Sequence, residues 1–170
     1  KRTSLKLENS GVDYLELRSI DLNPFAKDGI DEDSLYFLEI FMLYCLLKDS
    51  QNIDDSERSS ISKNNQLVSI EGRREALNLI SSIGNQVSLE NWALEILEEM
   101  LPIAELLNDK NNRYSESLIN AKKKIINKEE TLSHRVLESM RNDKITLDDF
   151  GNKLGKIYKK HYAEINKSDN

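Results

Sequence analysis

The sequence predicts a mainly α-helical chain with a β-hairpin at its N-terminus, and reads as part of a larger body. Three observations carry this. Apolar and polar residues alternate through residue 20; helix-period apolar stripes and capping residues follow Pro24; and Leu35 to Leu47 is too uniformly apolar to have a water-facing side of its own. At 170 residues the chain is long enough for one domain with a sizeable core.

The hairpin is expected over Thr3 to Ile20. Leu5 and Leu7 alternate with polar neighbours, Asn9-Ser10-Gly11 supplies turn chemistry, and Val12 to Ile20 alternates again. Asn23-Pro24 ends it, because proline cannot donate to a ladder and restricts the residue before it. A hairpin alone is only marginally stable in water, and no further convincing strands follow. Residues 1–25 are therefore expected to contribute strands to a catalytic sheet lying mostly outside this sequence. Residues 26–170 are expected to be the helical region.

Within that region Asp31 is the expected N-cap of a buried helix, with Glu32 and Asp33 in its first turn. From Leu35 to Leu47 every residue but Glu39 is apolar, so this helix needs cover on all sides. Residues 50–65 are polar, lack periodicity and read as a mobile loop. A helix is expected over Val68–Ser82. Ser88 then caps a long amphipathic helix that places Trp92, Leu97, Met100 and Ala104 on one face and is interrupted by Pro102. Shorter helices are expected at Tyr114–Asn127, Leu132–Arg141 and Leu147–Ala163, the last opened by a capping-box-like Thr146 and Asp149. The polar tail, Asn166 to Asn170, is expected to fray.

Composition excludes several functions. Net charge is −6 with scattered acids, against the basic stripe a nucleic-acid binder needs. Lys122-Lys123-Lys124 reads as one exposed helix turn. The apolar run spans roughly 20 Å, short of the ~30 Å hydrocarbon core, so no membrane span is expected. The single cysteine, Cys45, excludes a disulfide framework and a cysteine metal site. It reads as a small core residue in a reducing, cytoplasmic protein. His134 and His161 read as exposed bystanders.

The informative stretch is Tyr14-Leu15-Glu16-Leu17-Arg18-Ser19-Ile20-Asp21-Leu22-Asn23-Pro24-Phe25. In a strand Tyr14, Glu16, Arg18 and Ile20 share one face, while Leu15 and Leu17 face the core. A carboxylate and a guanidinium side by side suit phosphoryl chemistry: the first binds a hard cation through oxygen, the second grips phosphate oxygens bidentately. The same spacing also fits a plain solvated ion pair worth under about 1 kcal/mol. On that reading Asp21 and Asn23 are ordinary turn formers.

The whole string resembles the signature of bacterial-type glutamate–cysteine ligases: Tyr, an aliphatic, Glu, an aliphatic, Arg-Ser, any residue, Asp, any residue, Asn-Pro-Phe. The similarity continues through Gly29-Ile30 and the apolar helix to about Asp49, and becomes patchy beyond it. Glu71-Gly72-Arg73 resembles a later Glu-Gly-Arg. Thr131, Ser133, Arg135, Leu137 and Met140 resemble a Thr-x-Ser-x-Arg-x-Leu-x-x-Met pattern, without its usual small residue at position 134. Asn65 stands where Trp is usual beside Asn64, and Glu75-Ala76 replaces a common Pro-Gly.

The resemblance implies the C-terminal, mainly helical part of a larger α+β ligase fold related to glutamine synthetase. The full enzyme would join the γ-carboxylate of L-glutamate to L-cysteine through a γ-glutamyl phosphate made from ATP, the first step of glutathione biosynthesis. By that analogy Glu16 is a ligand of Mg²⁺ (or Mn²⁺), and Arg18 is the catalytic and ATP-binding contact on the transferred phosphoryl group. Glu71, Arg73, Ser133 and Arg135 receive no chemical role. The other metal ligands and the amino-acid-recognition residues lie in the family's N-terminal part, so this piece alone is expected to be inactive. Two alternatives stand beside this: a non-catalytic helical interaction module, and part of a bifunctional glutathione-synthesising enzyme.

Overall fold

The computed structural model describes residues 3–168, with side chains described over 7–165. Its frame is three helices: α2 (Glu32–Leu47), α4 (Leu89–Leu107) and α5 (Arg113–Ile126) pack on one another. Ile40 from α2, Leu97, Met100 and Ala104 from α4, and Leu118 from α5 make the buried core, ringed by Phe37, Phe41, Ile96 and Leu107. These are the residues that helical spacing places on one face. Asp31 caps α2, its Oδ1 accepting from the Ser34 N–H at 2.7 Å, and Ser88 caps α4 through Asn91 N–H at 3.3 Å. Glu39, the lone charge of the apolar run, accepts from the Tyr114 hydroxyl at 2.9 Å. Lys48, Tyr44 and Glu99 join α2 to α4, and Arg113 joins α5 to Glu32. Helix α4 runs through Pro102 without ending.

The remaining elements flank this frame. α3 (Asp55–Glu71) leads to an antiparallel pair, β1 (Asn78–Ile80) and β2 (Gln86–Ser88), in which Leu79 faces Val87. A short 3₁₀ turn (Lys128–Glu130) precedes α6 (Leu132–Asp143), and α7 (Leu147–Ser168) closes the chain. The Thr146–Asp149 box forms as expected: Thr146 Oγ1 donates to Asp149 Oδ2 at 2.7 Å, and Asp149 N–H donates back to Thr146 Oγ1 at 3.2 Å. Of the tail expected to fray, residues up to Ser168 are helical, and the last two residues lie outside the described ones.

Four expectations are corrected. The N-terminal hairpin does not form: Thr3–Ser10 is helix α1, and residues 12–22 join no strand pair. Gly11 explains the ambiguity. Its φ of +73° serves a hairpin turn or a helix stop, and here its N–H donates to Leu7 O at 2.9 Å as a helix C-cap. The expected loop at 50–65 is largely α3, capped by Asp54, whose Oδ1 accepts from Glu57 N–H at 2.7 Å. The helix expected over Val68–Ser82 stops at Glu71. A side-chain clamp organises the turn to β1: Asn64 donates to Ile80 O at 2.7 Å and accepts from Ile80 N–H at 2.9 Å. Cys45 is exposed, because it sits on a side of α2 that no element covers among the described residues.

Ala76 lies at φ +52°, a left-handed backbone that costs a Cβ-bearing residue roughly 1 kcal/mol or more. It occupies the place where the resembling pattern has glycine. Ala76→Gly is expected to stabilise the protein by about 1 kcal/mol, read as a raised urea midpoint.

Candidate functional site

The signature residues occupy one continuous segment from Tyr14 to Asp31. Glu16 and Arg18 stand on its exposed part, with side chains 58% and 80% accessible, and Arg18 Nη2 donates to Glu16 Oε2 at 2.8 Å. Among the described residues, no helix covers this pair. Leu15 and Leu17, expected to face a core, are exposed as well, since no partner strand or opposing layer meets residues 12–22 among the described residues.

Just beyond, the segment is anchored. Asn23 is 5% exposed and uses its whole amide: Oδ1 accepts from Phe25 N–H at 3.0 Å, and Nδ2 donates to Asp31 Oδ2 at 2.5 Å. Its backbone N–H donates to Gly29 O at 2.7 Å, and its carbonyl accepts from Ala26 N–H at 3.2 Å. Asn23 is thus more than a turn former. It closes the Pro24–Asp28 loop and ties it to the first turn of α2. Gly29 is favoured here by its φ of +78°; a Cβ would meet only the tip of the exposed Leu22 side chain, which can move aside.

Helices α6 and α7 hold the other side of the loop. The Phe25 ring meets Phe150 edge-on at 6.0 Å between centroids, and the Arg135 guanidinium lies over Phe25 at 4.4 Å. The Tyr158 hydroxyl donates to Pro24 O at 2.7 Å, and the Tyr162 hydroxyl reaches Asp28. Spacing alone gave no sign that Arg135 reaches Phe25 across 110 residues of chain; a stacked partner leaves no periodic signal.

Asp31 is the charged member of this network. Burial raises the pKa of its carboxyl, but hydrogen bonds from Ser34 and Asn23 and the Lys124 charge outweigh it, and the net position is below the ordinary 3.8. With a folded value lower than the unfolded one, its stabilisation is full above about pH 4 and fades as pH falls through the folded value. Asp31→Asn keeps an N-cap acceptor but turns an amide N–H₂ or loses an oxygen toward Asn23 Nδ2. The variant is expected to lose about 1–2 kcal/mol at pH 7 and to show less acid sensitivity in urea denaturation.

No cluster of three or more acidic, histidine or cysteine side chains suited to a metal occurs among the described residues. Glu16 offers the hard oxygen donor that Mg²⁺ takes, but one carboxylate alone does not make a site. No helix of the described residues is long and apolar enough to cross a membrane. His161 is exposed, edge-on to Tyr162.

A family model described as glutamate-cysteine ligase matches residues 1–68, the part that holds α1, Glu16, Arg18, the Asn23 anchor and α2. The chain is 38% identical over 149 residues to a glutamate–cysteine ligase of Clostridium acetobutylicum, covering 85% of this chain and 31% of that protein. With the corresponding ligase of Alcanivorax borkumensis it shares 32% identity over 171 residues, covering 99% of this chain and 32% of that protein. A crystal structure of a glutamate–cysteine ligase from Francisella tularensis in complex with AMP superposes with a TM-score of 0.77 at 26% identity, over 89% of this chain and 30% of that one. This chain belongs to the glutamate–cysteine ligase family. It spans about a third of the length of the curated ligases it matches. It is also 34% identical, over 81% of its length, to a bifunctional glutathione-biosynthesis protein of Clostridium perfringens.

Seen as a glutamate–cysteine ligase segment, the structure sorts the matching motifs by what they touch. The Asn-Pro-Phe end of the signature is the anchor on α2, α6 and α7. The Glu71-Gly72-Arg73 element is a helix end, where the neighbouring Arg74 pairs with Glu71. Thr131 sits at the start of α6, its Oγ1 donating to Lys128 O at 2.6 Å. Only Glu16 and Arg18 are charged, exposed and adjacent within the signature.

Proposed function

We propose that this chain is the C-terminal part of a cytoplasmic ATP-dependent ligase that joins the γ-carboxylate of L-glutamate to L-cysteine through a γ-glutamyl phosphate. The observation that carries the reading is the signature segment. Its Glu16 and Arg18 are presented to solvent by a segment with a tightly anchored end, in a chain similar over most of its length to glutamate–cysteine ligases. The full body is then an α+β ligase fold related to glutamine synthetase, with residues 12–22 completing its sheet.

In the proposed reaction the glutamate γ-carboxylate attacks the terminal phosphorus of ATP, ADP leaves, and the amine of cysteine displaces phosphate from the acyl phosphate. Arg18 holds oxygens of the transferring phosphoryl group and balances the charge that develops on them. Glu16 would offer one carboxylate oxygen to Mg²⁺, which when bound would supply positive charge against the triphosphate. Their mutual pair is no obstacle. Both side chains are exposed, and such a pair is worth under about 1 kcal/mol, so each can exchange its partner for a metal or a phosphate at little cost. The remaining metal ligands and the amino-acid pockets belong to the N-terminal part of the protein.

The full-length protein tests this. With ATP, Mg²⁺, glutamate and cysteine it is expected to release one phosphate per γ-glutamylcysteine formed. ATP turnover that ignores both amino acids would contradict the reading. A non-catalytic helical module is disfavoured because the chain's own helices leave the Glu16–Arg18 face open.

A further inference from the structure

Glu16 and Arg18 lie on a segment that this chain grips at one end. Between the Asp21–Pro24 stretch and helices α6 and α7 runs an open apolar groove of about 670 Å³, lined by Leu132, Val136, Met140 and Leu147. The segment therefore does not lean on α6 and α7 along its length. It is fastened to them just past the groove, at Pro24 and Phe25. Within this chain, Phe25 is the fixed point from which residues 16–22 depart toward the sheet proposed above.

Phe25 is fixed from two sides. Phe150, buried in α7, meets the ring edge-on, and the Arg135 guanidinium of α6 lies at 4.4 Å from its centroid, well inside the ~6 Å reach of a cation–π contact. Arg135 forms no ion pair among the described residues. Its charge is not spent on a neighbouring carboxylate; the ring is its partner. A guanidinium over a ring face adds an electrostatic attraction to the ring's packing that an aliphatic contact lacks. Asn23 then links Phe25 to the segment before it, because its Oδ1 accepts from the Phe25 N–H.

We infer that Arg135 is a positioning residue of the ligase: by clamping Phe25 it sets the direction of the segment that carries Glu16 and Arg18. The inference rests on the function proposed above. Arg135 touches neither Glu16 nor Arg18 and acts through Phe25 and Asn23. Phosphoryl transfer tolerates little misplacement of its charged groups, and an ångström can cost about a hundredfold.

The test is a kinetic cycle in the full-length enzyme with Arg135→Ala, Phe25→Leu, the double variant, and Glu16→Gln as reference. Arg135→Ala is expected to lower kcat about 10- to 100-fold, while KM for ATP, glutamate and cysteine stays within about twofold. The double variant is expected to be no slower than the worse single one, since both changes remove the same clamp. An Arg135→Ala enzyme with undiminished kcat overturns the inference, as does a double variant whose losses multiply. If Glu16→Gln abolishes turnover while Arg135→Ala is fully active, only the positioning role fails. If Glu16→Gln is itself fully active, the functional reading fails and the inference with it.

Discussion

In the full-length ligase, Glu16→Gln and Arg18→Ala are each expected to lower turnover by about 10²–10³-fold, with the melting temperature nearly unchanged. The kinetic loss follows from charge. In the roles proposed for them, glutamine keeps the shape of Glu16 but removes the anionic oxygen a hard cation would select, and alanine would leave the transferring phosphoryl group without a bidentate donor. The structural silence follows from exposure. Both side chains stand in solvent, and the 2.8 Å pair between them is worth under about 1 kcal/mol, so little folding energy goes with either. Steady-state kinetics beside a thermal melt check both halves. Turnover within about twofold of the parent in either variant would remove that residue from the chemistry.

Asn23→Leu is expected to do the opposite, lowering stability by about 2–4 kcal/mol before any effect on chemistry is considered. Leucine fills nearly the same space but can neither accept from the Phe25 N–H nor donate to Asp31 Oδ2. Asn23 itself is only 5% exposed, so the leucine that replaces it keeps water from its side of both groups. The Asp31 carboxylate loses one of the hydrogen bonds that lower its pKa, which also reduces the acid dependence of stability. Urea denaturation measures the change directly. A loss below about 1 kcal/mol would mean the amide is satisfied by solvent and is no anchor.

The frame of the molecule was legible wherever local chemistry decides the outcome. Asp31, Ser88 and the Thr146–Asp149 box announce helix starts because a side-chain oxygen satisfies orphan backbone donors at a fixed spacing. The Leu97–Met100–Ala104 stripe announces a core because helical period alone aligns it. The misread elements are those whose identity depends on partners. Residues 12–20 alternate like a strand, yet a strand exists only with a neighbour to bond to, and no strand pairs with them among the described residues. In α3 no residue is buried, so it has no apolar stripe to read; its Asp54 cap was the available signal. The pair Asn78–Ile80 and Gln86–Ser88 is too short for alternation to register, although Ser81-Ser82-Ile83-Gly84-Asn85 between them is turn-forming sequence.

The candidate site divides in the same way. Glu16 and Arg18 are visible as a pattern because two residues apart is a local relation. Asn23 as a buried hub, and Arg135 over Phe25, are relations across loops and helices that no spacing encodes. The exposed Leu15, Leu17 and Cys45 share one cause: they lie on sides of their segments that nothing covers among the described residues.

A structure of the full-length protein with a non-hydrolysable ATP analogue and Mg²⁺ addresses the site itself. The expected result has residues 12–20 paired into a sheet, a Glu16 oxygen about 2.0–2.1 Å from a metal ion, and the Arg18 guanidinium hydrogen-bonded to the terminal phosphate. Glu16 and Arg18 still bonded to each other in open solvent, with the nucleotide and its metal held elsewhere, would contradict it.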